Sequence, residues 1–180
     1  MRYTEKDLEF FMNSADQVAP KLLGSLLCRK MPDGKIRKMI ITETEAYPAD
    51  DITCYGYGYE GNHGEKQKTI ANTPLFERGG ICCIYGGMIL LVCGEKGKPD
   101  NVLVRSGIYN DDYYDGPCKL AKALCVDKKF HGTDILAKDS ELWIEKKSCD
   151  EFVAIKRKGL VHSEFKNKDD NNNKLRFFAL

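Results

Sequence analysis

Histidine and tryptophan are scarce in this chain: 180 residues hold three histidines (63, 131 and 162) and one tryptophan. Three scattered histidines cannot build a histidine-rich metal centre. The eight cysteines (28, 54, 82, 83, 93, 118, 125 and 149) lack the paired spacing of zinc ligands. No metal is therefore expected, and the cysteines read as reduced and mostly buried small hydrophobes. No apolar run approaches the length of a membrane span, and the opening MRYTEKDLEF is too polar for a signal peptide. These absences predict no membrane contact and a cytoplasmic location. A charge excess is missing too, for the net charge is +1, which argues against strong nonspecific binding of nucleic acid. The charge is nonetheless uneven. Residues 1–118 carry 14 basic against 17 acidic side chains, and residues 119–180 carry 14 against 10. The last third could present a basic face or a mixed, solvated one.

What remains is the composition of an ordinary globule, 42% hydrophobic and 31% charged, at a length that fits one domain over residues 1–180. Thr4 followed by Asp7 is a helix start, and Leu8, Phe11, Ala15 and Val18 recur at helical spacing up to Pro20. After a turn at Pro32-Asp33-Gly34, IRKMIITETEAY (36–47) alternates with the period of a strand. Residues 56–68 are glycine-rich and charged and read as a mobile loop. GGICCIYGGMILLVC is an apolar strand region interrupted at Gly86-Gly87, and GEKGKPDN turns it into NVLVRSGI as a hairpin. Gly116-Pro117 opens a helix with Leu120, Ala123 and Leu124 on one face. ELWIEK, EFVAIKRKGLV and LRFFAL read as further strands, with the polar NKDDNNNK before the last. Strands outnumber helices without βαβ alternation. The expected class is α+β, a curved, mainly antiparallel sheet flanked by helices.

Two carboxylates and a tyrosine at alternate positions, Glu43, Glu45 and Tyr47, follow directly on an apolar run. Strict alternation puts Arg37, Met39, Ile41, Glu43, Glu45 and Tyr47 on one face and Ile40, Thr42, Thr44 and Ala46 on the other. On this stretch alone the acids read as solvated at a strand end. The functional alternative is a carboxylate held beside an aromatic in a cleft, its pKa raised by burial, able to act as a general base for water.

ETEAY at 43–47, with KLLGSLL at 21–27, LFERGG at 75–80, GKPDNVLVRS at 97–106, GPCKLAKAL at 116–124, RKGL at 157–160 and LRFF at 175–178, resembles the alkyladenine (3-methyladenine) DNA glycosylases, in order along nearly the whole chain. The resemblance implies that Glu45 activates the water that displaces a damaged base, and that Tyr47 stacks on the flipped-out base. It implies no cofactor, because an alkylated purine is already a cationic leaving group that an aromatic pocket attracts. The partner would be damaged DNA, double- or single-stranded, bound by a monomer. Arg105 matches an arginine near the DNA-facing pocket and reads as a phosphate contact or a surface hairpin charge. Gly116-Pro117 matches a family turn and reads as a helix N-terminus.

The chain departs from the family pattern at four places. Tyr55 stands where the family has a histidine; a phenol can stack and donate a hydrogen bond but cannot become a cation near neutral pH. Ala71 replaces a DNA-contacting arginine. The tyrosine-rich hairpin is compressed to ICCIYGGM, leaving Tyr85 as either the stacking residue or the wedge driven into the duplex. Leu90 falls at the position of an asparagine that discriminates against guanine. His63, in the lengthened loop, could substitute for the missing histidine or be solvated. The leading expectation is a monofunctional glycosylase that flips alkylated purines and hydrolyses their N-glycosidic bond. The alternatives are a weakened homologue that binds distorted DNA, and a hydrolase of free alkylated nucleosides.

Overall fold

Residues 1–59, 67–158 and 174–180 are described in the computed structural model of the protein. Most of the loop at 56–68 with His63, the end of RKGL, the tail of EFVAIKRKGLV, His162 and nearly all of NKDDNNNK lie outside the described residues.

The Thr4–Asp7 signal opens a helical segment as expected: the Asp7 carboxylate accepts the Thr4 backbone N–H at 2.9 Å. A 3₁₀ turn (Glu5–Asp7) leads into α1 (Leu8–Phe11), but the helix does not run on to Pro20. The Asn13 side chain donates to the carbonyls of Glu9 and Phe10 at 2.9 and 3.0 Å and so ends α1. After an extended Ser14 the chain restarts as α2 (Ala15–Lys21), with Pro20 inside its last turn.

One curled, half-barrel sheet holds β1 (Leu26–Lys30), β2 (Ile36–Tyr47), β3 (Cys82–Tyr85), β4 (Met88–Val92), β5 (Asn101–Tyr109), β6 (Asp112–Asp115), β7 (Leu142–Glu145), β8 (Phe152–Ile155) and β9 (Arg176–Ala179). Its main path runs β3-β4-β5-β2-β1-β7, with β6 on β5 and the β8–β9 pair on β2, and all these pairs are antiparallel. With α3 (Pro117–Ala123) opened by Gly116-Pro117, the α+β expectation is borne out. Gly86 and Gly87 both take positive φ, +55° and +81°, which gives the β3–β4 hairpin a two-residue turn. The sequence reading missed β6. Its turn, Asn110-Asp111, likewise has positive φ at both residues.

Strand β2 organises the molecule, and its alternation is broken. Ile41 pairs with Gly107, Glu43 with Ser106 and Thr44 with Val104, so the ladder steps past Thr42 on β2 and past Arg105 on β5. Before this bulge Met39 and Ile41 face the helices; after it Ala46 does, and the Thr44 hydroxyl donates to the Ala19 carbonyl of α2 at 2.9 Å. The expected single face from Arg37 to Tyr47 therefore does not exist. The irregularity keeps apolar residues in the helix-side core throughout and turns Glu43, Glu45 and Tyr47 to the opposite face. Burial of Met39 and Ile41 contributes roughly 1.5–3 kcal/mol each, which fixes the register. A Cβ at Gly107 would lie 2.6 Å from the Ile40 carbonyl oxygen, so only glycine lets β5 approach here.

The helix-side core gathers Leu22 and Leu23 after α2, Leu91 and Val104 on the sheet, and Leu120 and Leu124 around α3. A second cluster packs on the other face around Leu75, Phe76, Cys83, Leu90 and Leu103, with Tyr47, Tyr55 and Tyr59 against it.

Candidate active site

Cross-strand register assembles the site. Cys83 pairs with Leu90, Leu90 with Leu103, Leu103 with Glu45, and Glu45 with Arg176 on β9. One row thus carries an apolar floor up to a carboxylate and a cation beyond it. Glu45 and Glu43 are buried, 0% and 1% exposed, so neither is a solvated acid at a strand end.

The two carboxylates are held differently. Glu43 is the charge anchor: Ser106 Oγ donates to its Oε2 at 2.5 Å, Arg105 Nε lies 2.9 Å from its Oε1, and Arg176 Nε donates to the same oxygen. The Arg105 Nε–H is not directed along that line, so its contact is an ion pair without a hydrogen bond. Glu45 receives the Tyr47 hydroxyl on Oε2 at 2.8 Å and the Lys158 backbone N–H on Oε1 at 2.8 Å. Arg105 and Arg176 stand back from it at 3.7 and 4.0 Å. Burial pushes the Glu45 carboxyl up from its ordinary value, and the Lys158 N–H, the Tyr47 hydroxyl and the Arg105 charge partly oppose that rise. The Tyr47 phenol is also raised, by its own burial first and then by the neighbouring Glu45 charge, so it stays a neutral donor.

Behind Tyr47 sits a residue to which the sequence reading gave no role. The Arg157 guanidinium lies 4.7 Å from the Tyr47 ring centroid, donates to the Ala46 carbonyl at 3.0 Å and donates to Asp51 Oδ2 at 2.6 Å. With the Lys158 N–H on Glu45, the dipeptide Arg157-Lys158 holds three consecutive residues of β2. Arg176 and Ser106 were equally unforeseen. The sequence offers the arginines of RKGL and LRFF as candidate partners for acids, but the pairing of Arg157 with Asp51 and of Arg176 with Glu43 appears only in the fold.

Of the expected base-binding residues, Tyr47, Tyr55 and Leu90 meet in the second cluster, and Tyr85 joins them by stacking on Tyr55, ring centroids 3.8 Å apart at 28°. Arg105 is only 9% exposed and is drawn inward by two buried carboxylates, so of its two expected readings the surface hairpin charge is corrected. Ala71 is exposed, as a lost surface contact would be. An open cleft of about 870 Å³ bordered by Pro48, Asp51, Tyr57, Asp100 and Arg157 lies beside this constellation; Glu45, Tyr55 and Leu90 do not line it. Among the described residues no cluster of His, Cys, Asp and Glu could hold a metal ion, and no helix is long and apolar enough to cross a membrane.

The sequence profile of the methylpurine-DNA glycosylases matches residues 9–179. The chain belongs to that family. Proteins named "Putative 3-methyladenine DNA glycosylase" are similar to it in several bacteria. The one from Streptomyces avermitilis is 36% identical over 152 residues, covering 72% of this chain and 67% of its own. The one from Borrelia garinii subsp. bavariensis is 31% identical over 186 residues, covering 96% and 94%. The methylpurine-DNA glycosylase match spans every element that contributes to the Glu45 site, from β2 to β9.

Proposed function

We propose that the protein is a monofunctional DNA glycosylase that releases alkylated purines, with Glu45 as general base. The observation that carries the reading is the buried Glu45 carboxylate on an aromatic, apolar wall in a chain of the methylpurine-DNA glycosylase family. Ionised Glu45 takes a proton from water, and the water oxygen bonds to the sugar C1′. The N-glycosidic pair then leaves with the purine, whose alkyl-induced positive charge it neutralises. No amine adds to the sugar, so no covalent intermediate forms and the product is an abasic site.

Tyr47 offers one ring face to the flipped base, since Arg157 covers the other. The Tyr55–Tyr85 stack forms a second wall, and Leu90 supplies apolar contact without a polar discriminator. At 3.8 Å the two tyrosine rings leave no space for a base between them, so the base adds to the outside of the pair. Glu43, Arg105 and Arg176 tune the field at Glu45 rather than touch substrate.

Base release from alkylated duplex, alkylated single strand and alkylated nucleoside tests the reading. Release from DNA strands but not from the nucleoside is expected. Release from the nucleoside alone identifies a nucleoside hydrolase, and binding of lesion duplex without release identifies a binding homologue.

A further inference from the structure

We infer that Ile70 is the wedge that fills the base stack when the damaged nucleotide leaves it, an inference that rests on the glycosylase reading above. Ile70 is 91% exposed, a β-branched apolar side chain at the second position of the turn Thr69–Asn72, where nothing among the described residues requires an apolar residue.

The turn that carries it is built to be rigid. Asn72 Oδ1 accepts the Thr69 backbone N–H at 2.7 Å and the Thr69 hydroxyl at 3.2 Å, the Asn72 N–H returns to the Thr69 carbonyl at 3.1 Å, and the Thr73 hydroxyl donates to the same carbonyl at 2.7 Å. The turn is also moored to the pocket wall. His131 Nδ1 accepts the Ile84 N–H at 3.1 Å while its Nε2 donates to the Ile70 carbonyl at 2.9 Å, so one imidazole spans the gap between Ile70 and the strand that presents Tyr85. Cys83 Sγ donates to the next carbonyl, Ala71, at 3.8 Å.

Tyr85, at the tip of the neighbouring hairpin, is stacked on Tyr55. An apolar knob on a preorganised turn beside an aromatic pocket is the form that side chains inserted between base steps take. Its rigidity limits the conformational entropy lost on insertion, and it offsets an unstacking cost of a few kcal/mol. A single strand has no stack to fill, so the wedge acts on duplex only.

The test places 2-aminopurine next to a 7-methylguanine in duplex and follows its fluorescence on binding, alongside single-turnover base release from duplex and from the same strand alone. Wild type brightens the probe, and Ile70→Ser, a surface substitution that leaves folding intact, does not. Ile70→Ser slows release from duplex by about tenfold, while release from the single strand stays within about twofold and Ile70→Phe retains the duplex rate. Brightening that survives Ile70→Ser, or that is lost in Tyr85→Ala instead, overturns the inference, as does an equal loss on both substrates. Ile70-dependent brightening without base release by wild type upholds the wedge and rejects the glycosylase reading.

Discussion

The hydroxyl of Tyr47 donates to Glu45 Oε2 across 2.8 Å, two residues along the same strand face. One side chain is thus both the proposed stacking platform and a donor to the proposed base. This bond stabilises the ionised carboxylate against the rise that burial imposes.

Tyr47→Phe keeps the ring and removes that bond. General-base activity is present above the pKa of Glu45 and lost as pH falls through it, and burial has already moved that pKa above the ordinary carboxylate value. The variant should therefore move the acid limb of the rate profile to higher pH and lower single-turnover release about tenfold on the limb. Affinity for lesion DNA should change little. A pH–rate profile with an unmoved acid limb would contradict this.

Arg157→Met keeps much of the side-chain stem but loses the bonds to Ala46 and Asp51 and the cation over Tyr47. It removes the Arg157 cation from a partly buried Asp51, which keeps its Thr53 hydrogen bonds, so denaturant unfolding should show a loss of about 3 kcal/mol. Single-turnover release should fall about tenfold, because the back of Tyr47 is no longer held. Arg157→Lys should recover less than half of the lost rate, since an ammonium cannot reproduce the planar fork. Full activity in the methionine variant would show that Arg157 serves stability alone.

These relationships were unequally legible in the sequence. Glu45 and Tyr47 could be singled out because alternation places them together and ETEAY resembles a family motif. The direction they face could not be read, since the two-strand irregularity at Thr42 and Arg105 depends on β2 meeting β5, some sixty residues apart. The surface-charge reading of Arg105 failed for the same reason: a lone arginine in a hairpin looks exposed until two buried acids are found opposite it. Arg157 and Arg176 come from the far end of the chain, and only tertiary pairing with Asp51 and Glu43 gives them meaning. The Asn13 cap that splits the first helix lay inside an otherwise regular periodicity. By contrast, strand β2, the Gly86-Gly87 turn and α3 at Gly116-Pro117 follow from local chemistry alone.

Glu43→Gln removes the charge that compensates Arg105 and Arg176. The buried Arg105 and half-buried Arg176 guanidinium groups are then left with Glu45 as their paired carboxylate. Stability should fall by about 3 kcal/mol by chemical denaturation. What activity survives should extend to lower pH, because uncompensated cations favour ionised Glu45. A variant as stable as wild type would show that the pairing of Glu43 is dispensable.

Single-turnover release of 3-methyladenine and 7-methylguanine by Glu45→Gln tests the central claim most directly. The amide keeps the volume and can still accept the Lys158 N–H, yet it cannot take a proton from water. Burying the ionised carboxylate costs stability above its raised pKa and costs nothing once it is protonated, so at neutral pH the variant should melt no lower than wild type. With folding and lesion-DNA affinity intact, the account predicts a loss of at least about a hundredfold in release. Release within a few-fold of wild type would contradict it and remove Glu45 from the chemistry.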